Sequence, residues 1–263
     1  MTGPAEAGRP EGPAKPAGAG RPTGKHAGAS AGPRGRPAAG GGRWVSVGPE
    51  RLGRWVEGFG NRHGAFTPAV GDAAAPGTVV LVAADGSQAH IEVPFPPLAT
   101  LGAPVLQALL AHVLRPRTVG VLLVRLGGYA AGVFDGGVLV SSKVGSRQVH
   151  GRSAAGGWSQ QRFARRREGQ ASVALQSAAD NAVRILVGRP LDAVVVGGER
   201  TAVEAVLDDR RLAEVKALVT GRLLDVPDPR LTVLQKAPYR DVWIRVVETG
   251  GLAPLPVKDS PHE

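Results

Sequence analysis

The pattern of apolar and polar residues in the first half of the chain predicts short strands alternating with helices. Apolar residues spaced three and four apart from Leu52 to Phe59 indicate a helix, whereas alternation on both sides of Asp85-Gly86 is typical of a hairpin. The predicted elements are a strand at 44–47, a helix at 49–62, hairpin strands at 78–84 and 88–93, and a helix at 105–114. Together they predict a small N-terminal α+β lobe over residues 44–115.

The second half of the chain shows three β-rich runs followed by a long helical pattern. Glycine-rich stretches at 127–128 and 135–137 separate the runs and are typical of hairpin turns. The predicted elements are strands at 119–126, 129–134 and 138–144, a helix at 159–187, a strand at 192–196, helices at 201–207 and 212–220, and strands at 231–234 and 242–247. This order predicts an α/β (α+β) domain over residues 116–250, in which helices flank a mixed sheet.

The two ends of the chain differ in composition from this folded part. Residues 1–43 consist mainly of Gly, Pro, Ala and basic residues, with no large apolar side chain after Met1. Such a segment cannot bury enough apolar surface to offset the entropy lost on ordering, so we expect a disordered basic tail. Residues 251–263 are expected to form a short C-terminal tail.

The residue content excludes several kinds of chemistry. The chain has no cysteine, which excludes disulfides, a thiolate nucleophile and cysteine-bound zinc. The six histidines lack the spacing of metal ligands, so neither a metal nor another cofactor is expected. No apolar run approaches the roughly 18 residues of a membrane-spanning helix. We therefore expect a cytoplasmic protein without a membrane partner. The sequence leaves the oligomeric state open, and a monomer is the expectation.

Positive charge is concentrated in two segments of the chain. The formal net charge is +10. Residues 143–170 contain seven Lys or Arg and the single acid Glu168, and residues 1–43 contain seven Lys or Arg and two acids. The remaining residues are close to neutral as a group. A charge confined in this way is typical of a surface that binds nucleic-acid phosphates.

The most informative motif lies within the basic segment 143–170. It reads Gly156-Gly157-Trp158-Ser159-Gln160-Gln161 and is followed directly by four arginines. A glycine pair lets the backbone approach a ligand closely. A glutamine amide donates and accepts hydrogen bonds but does not titrate near neutrality, so it can orient a water or stabilise an oxyanion without acting as a base. A helix start at this position would add backbone N–H groups that favour anionic oxygen.

Preceded by the run Ser142-Lys143-Val144-Gly145-Ser146-Arg147, this motif resembles the VLRF family of peptidyl-tRNA hydrolases, specifically its bacterial (actinobacterial) branch. That family is related to the catalytic domain of eukaryotic class-I release factors. The resemblance covers residues 117–250 and implies a release-factor-like α/β domain with an RNase H-like sheet. It also implies that the loop enters the peptidyl transferase centre, where a glutamine promotes attack of water on the ester that joins peptide to tRNA.

The resemblance assigns roles to individual residues of this chain. The catalytic glutamine maps onto Gln160 if Trp158 is taken as an insertion in a Gly-Gly-Ser-Gln pattern, and Gln161 is the alternative. Gly156 and Gly157 belong to the same catalytic loop. The residues expected to bind RNA are Lys143, Arg147, Arg152, Trp158, Arg162, Arg165, Arg166 and Arg167.

These observations predict a peptidyl-tRNA hydrolase that acts on stalled large ribosomal subunits in ribosome-associated quality control. Its expected partners are the large subunit, the ribosomal RNA and peptidyl-tRNA. Two other functions use the same basic loop and stay open at this point. One is a non-catalytic ribosome- or tRNA-binding factor, and the other is a nuclease that acts near the tRNA 3′ end.

Overall fold

Two β-sheets flanked by α-helices make up the part of the chain that the structure, a computed structural model, describes. The described residues are 36–71, 77–125, 127–146 and 159–249, with only the backbone described for 159–168. The strands are β1 (Arg36–Pro37), β2 (Arg43–Val47), β3 (Phe66–Val70), β4 (Thr78–Ala83), β5 (Gln88–Glu92), β6 (Thr118–Arg125), β7 (Gly128–Asp135), β8 (Val138–Ser146), β9 (Ala193–Gly198) and β10 (Val242–Val247). The helices are α1 (Leu52–His63), α2 (Val105–Leu114), α3 (Ser159–Leu186), α4 (Arg200–Leu207), α5 (Ala213–Ala217) and α6 (Leu231–Gln235).

The first sheet has six strands in the order β1-β2-β10-β5-β4-β3, and every neighbouring pair is antiparallel. Alternate residues of its strands are buried in one core together with Leu52 and Phe59 of α1 and Leu109 of α2. The two helices therefore cover one face of this sheet. Residues at the positions between are partly or fully exposed on the opposite face.

The second sheet has the order β8-β7-β6-β9. Strands β6, β7 and β8 form an antiparallel meander, and β9 runs parallel to β6. A parallel pair requires a crossover connection, which contains α3. Gly136 and Gly137 turn the chain between β7 and β8 with φ values of 55° and 97°, which other residues adopt rarely. Helices α3 and α4 pack on one face of the sheet, and α6 with Leu224 and Val226 packs on the other. The predicted α/β class, with helices flanking a mixed sheet, is confirmed.

Most of the predicted elements are present within a few residues of their expected limits, but one prediction was wrong. Residues 231–234 were predicted to form a strand, and they lie in α6 instead. The outer edge of β9 already bonds other segments, through Val194 N–H to Leu218 and Leu224 N–H to Val196. A helical turn satisfies the backbone locally, as the 2.9 Å bond from Leu234 N–H to the Arg230 carbonyl shows.

Strand β3 did not emerge from the sequence pattern because it contains Pro68. Proline lacks the N–H that a central strand donates, so it weakens a strand prediction. The structure places β3 at the edge of the first sheet, beside β4. At an edge, the missing donor leaves no ladder bond unmade.

Strand β10 was predicted within the segment 116–250, and its partners are strands of the first sheet. Ile244 pairs with Val45 on one side and with Ile91 on the other. Buried and partly exposed residues alternate along β10, which fits a sheet covered on one face. In contrast, β6 and β7 each contain six consecutive buried residues, as expected where both faces of a sheet are covered.

Candidate functional site

The glutamine motif lies at the junction between β8 and α3. The residues that connect these elements, 147–158, lie outside the described part of the chain, and with them Arg147, Arg152, Gly156, Gly157 and Trp158. For the residues that follow, the structure describes the backbone of α3 but no side chains. These are Gln160, Gln161, Arg162, Arg165, Arg166 and Arg167.

Helix α3 begins at Ser159, so Gln160 and Gln161 both lie in its first turn. The helix start expected at this position is thereby confirmed. The first N–H groups of any helix have no partner within the helix, and the helix dipole adds partial positive charge there. Ala171 lies twelve positions after Ser159, which corresponds to about 18 Å of helical rise. Ala171 is a helix residue that contacts the cavity described next.

A cavity of about 250 Å³ lies between the end of the β6–β8 meander and α3. Register places Arg125 of β6, Gly128 of β7 and Ser146 of β8 side by side at this end of the sheet. Ser146 is also the last described residue before the glutamine motif. Ala171, Ala174, Leu175, Ser177 and Ala178 line the cavity from the side of α3. The cavity is therefore lined by the last described residue of β8 before the glutamine motif.

Tyr129 forms the wall of this cavity and is held by hydrogen bonds to α3. The Asn181 Nδ2 amide donates to the Tyr129 hydroxyl at 2.6 Å and to the Ser177 carbonyl at 2.7 Å. The Tyr129 hydroxyl is also 3.4 Å from Ser177 Oγ. Gly145 lies against the ring, and a Cβ at that position would overlap Tyr129 Cζ. The Tyr129 ring can therefore lie against the end of β8 because residue 145 has no side chain.

Two basic side chains are described near the C-terminal end of β8. Lys143, which was predicted to bind RNA, is exposed on β8 opposite Ala131, and Ala131 faces the core beneath α3. Arg125 was not predicted. Its side chain lines the cavity, donates to the Val226 carbonyl at 2.9 Å and keeps 39% of its surface exposed. In the sequence, Arg125 only ends an apolar strand, because its proximity to Ser146 depends on the pairing of β6 with β7 and of β7 with β8.

The described residues contain no group of three or more His, Cys, Asp or Glu side chains that could hold a metal ion. None of the helices within the described ranges has the length and hydropathy of a bilayer-spanning segment.

Comparison with known families identifies the second half of the chain. The profile of acVLRF1, described as the Actinobacteria/chloroflexi VLRF1 release factor, matches residues 117–247. This part of the chain belongs to the acVLRF1 release factor family. The resemblance inferred from the glutamine motif is thereby confirmed. The acVLRF1 region contains the complete second sheet, α3 and the motif, and it also includes β10, which pairs in the first sheet.

Solved structures are similar to the chain at a low level. An archaeal translation termination factor, aRF1, gives a TM-score of 0.34 with 17% sequence identity, over 46% of this chain and 33% of that one. The Vms1 mitochondrial localization core gives a TM-score of 0.35 with 9% identity, over 65% of this chain and 77% of that one. The chain thus spans about a third of the archaeal factor's length. No curated protein sequence matches the chain.

Proposed function

We propose that this protein hydrolyses the ester bond of peptidyl-tRNA on stalled large ribosomal subunits, using a water positioned by Gln160. The observation that supports the proposal most is that the acVLRF1 region contains the glutamine motif at the start of α3. On this proposal the protein acts in the cytoplasm, in ribosome-associated quality control. Its partners are the large subunit, the ribosomal RNA and the tRNA.

The proposed reaction needs no titrating side chain. The oxygen of a water attacks the ester carbonyl carbon, and the bond from that carbon to the tRNA 3′ oxygen breaks. A proton of the water passes to the 3′ oxygen, so that free peptide and intact tRNA are the products. The Gln160 amide carbonyl accepts a hydrogen bond from the attacking water, and its NH2 group donates to the developing oxyanion. Holding the water and the ester in the correct geometry lowers the barrier further.

The arginines of the motif supply the binding step. Arg162, Arg165 and Arg166 are spaced three and four apart along α3, so a helix brings them to one side. Guanidinium groups bind phosphate oxygens in a bidentate manner. We assign these arginines, together with Lys143 and Arg125, to the phosphates of the tRNA 3′ end or of ribosomal RNA.

The proposal is tested with large subunits that carry labelled peptidyl-tRNA. The wild-type protein is expected to yield free peptide and intact tRNA. Gln160→Ala is expected to lower the release rate at least about 100-fold, because removal of one group that stabilises an oxyanion has effects of about 10²–10³. Sedimentation with the large subunit should be unchanged in this variant, since the phosphate-binding arginines remain.

Gln161→Ala is the matched control, one residue further along the same turn, and should release peptide at the wild-type rate. If Gln161→Ala abolishes release and Gln160→Ala does not, the catalytic role belongs to Gln161. Shortened tRNA would identify a nuclease instead. Unchanged peptidyl-tRNA together with binding to the subunit would identify a non-catalytic factor.

A further inference from the structure

The face of the first sheet that α1 and α2 leave uncovered carries an unusual set of side chains. Two of the four tryptophans of the chain, Trp44 on β2 and Trp243 on β10, lie on this face and are partly exposed. Their strand neighbours Val45 and Ile244 point into the core on the opposite face. Tryptophan binds apolar and flat partners strongly, so its placement on the solvent side of a sheet indicates a contact surface.

Strand register aligns one row of residues across this face. Each of the six strands contributes one member, and the row reads Ala69, Val80, His90, Arg245, Trp44, Arg36. Neighbouring strands are about 4.8 Å apart, so the row is about 24 Å long. Trp243 lies in the adjacent row, opposite Ser46 of β2. The face therefore has an aromatic part and a cationic part within a length of a few nucleotides.

Arg222 reaches this face from outside the sheet and stacks on the tryptophans. Its guanidinium carbon is 3.9 Å from the ring centroid of Trp44 and 5.0 Å from that of Trp243. Its Nε is 3.3 Å from the Glu92 carboxylate, and 36% of the side chain stays exposed. The guanidinium therefore lies over both indole rings. Bases of single-stranded RNA stack on both kinds of group.

The charges around this stack favour an anionic partner. Arg36 and Arg245 lie in the row on both sides of Trp44. Of two carboxylates nearby, Glu92 forms an ion pair with Arg222, and Asp241 accepts a hydrogen bond from the Ser46 hydroxyl and keeps its charge. Burial and the neighbouring Arg245 lower the pKa of His90, so its imidazole is neutral at neutral pH and Arg245 carries the charge of this part of the row.

Residues 1–35, which precede Arg36 in the chain, contain five Lys or Arg and two Glu. This excess of positive charge favours a polyanion as the partner of the protein.

We infer that the open face of the first sheet binds single-stranded RNA, with bases stacked on Trp44, Trp243 and Arg222 and phosphates bound by Arg36 and Arg245. An aromatic and cationic sheet face is a common platform for single-stranded RNA. This inference goes beyond the proposed hydrolysis, since it concerns the other sheet and a different contact with RNA. A failure to release peptide would not affect it, because its test measures binding alone.

The test uses the full-length protein and a fluorescein-labelled 12-nucleotide oligouridine, with fluorescence anisotropy as the measurement. Trp44→Ala and Trp243→Ala are each expected to weaken binding about 5- to 150-fold, as expected for loss of one base–aromatic stack. Trp44→Phe and Trp243→Phe keep a ring and should retain most of the affinity. These variants also cover the case in which an alanine variant fails to fold, which circular dichroism detects.

Val82→Ala is the matched control, because Val82 is 44% exposed on the same face and lies one row away from His90. It should bind RNA as the wild type does. Arg245→Gln should weaken binding and lower its dependence on salt concentration.

Three outcomes would overturn the inference. The first is wild-type affinity in folded Trp44→Ala and Trp243→Ala proteins, which would limit the tryptophans to anchoring Arg222. The second is that Trp44→Ala and Trp243→Ala lower the affinity for duplex RNA of the same length as much as that for the oligouridine. This would indicate attraction without stacking. The third is displacement of the oligouridine by an uncharged proline-rich peptide, which would indicate a protein partner for this face.

Discussion

Gly145 and Tyr129 face each other across β7 and β8, and their contact shapes the end of the sheet from which the glutamine motif begins. The Tyr129 ring fills the space that a side chain at position 145 would need. Its hydroxyl accepts a hydrogen bond from the Asn181 amide, which connects the sheet to α3. A glycine in a strand is destabilising in itself, and it is favoured where another group must come close.

Gly145→Ala is therefore expected to displace the Tyr129 ring and lower the free energy of unfolding by about 1–3 kcal/mol, the usual cost of an overpacked site. Urea denaturation measures this change. Gly127→Ala is the control, since an added Cβ at Gly127 meets no atom within 4 Å. Equal unfolding midpoints for the two variants would show that the ring moves at no cost.

At the scale of elements, α3 is connected at its C-terminal half to the turn that precedes α5. Arg211 of that turn bonds Asp180 of α3 at 2.6 Å and Asp209 at 2.7 Å. The hydrogen bond from the Arg211 side chain, and then that from its backbone N–H, lower the pKa of Asp209 from 3.8 to about 2. The ionised carboxylate therefore stabilises the folded state. This contribution is complete above pH 3.8 and is lost as the pH falls through about 2.

Asp209→Asn should accordingly lower the melting temperature at pH 6, and the difference from wild type should shrink as the pH approaches 2. Thermal unfolding followed by circular dichroism at both pH values checks this. Asp208→Asn removes a neighbouring carboxylate that bonds Lys216 at the surface, and it controls for the loss of one negative charge. A difference between Asp209→Asn and wild type that does not depend on pH would refute the assigned role.

At the scale of the whole molecule, the two sheets depend on each other through the course of the chain. The acVLRF1 region forms the second sheet and then provides β10 to the first, between β2 and β5. Arg222 of the same region stacks on the tryptophans of the first sheet. Positive charge is concentrated before β2 and around the start of α3, so salt should weaken RNA binding strongly.

Replacement of both Arg165 and Arg166 by alanine should weaken binding to the large subunit and flatten its salt dependence. Because two phosphate-binding side chains are removed, the slope of log K against log salt should fall in magnitude by about 1.4–1.8. Filter binding at a series of salt concentrations provides this measurement. The control replaces Arg189 and Arg210, both exposed near the C-terminal end of α3, and should leave the slope unchanged. An unaltered slope in the Arg165 and Arg166 variant would remove these residues from the proposed site.

Much of the local structure could be predicted from the sequence, because local patterns report local geometry. Asp135-Gly136-Gly137 predicted the turn between β7 and β8, and the change of hydrophobic period after Ser159 predicted α3. The pattern failed at residues 231–234, since a short apolar run fits a strand or a helical turn equally well. The assignment of the motif to Gln160 and its arginines stays a prediction, because those side chains lie outside the described part.

The sequence by itself determined the periodicity of most elements, the separation of charge along the chain and the release factor family of residues 117–247. Only the tertiary structure decided that β10 joins the first sheet, that Arg125 and Tyr129 line a cavity between the meander and α3, and that Arg222 lies over both Trp44 and Trp243. Each of these contacts joins residues that are far apart in the chain. A local pattern indicates which face of an element is buried, but which distant segments pair depends on the sheet edges that the whole fold leaves free.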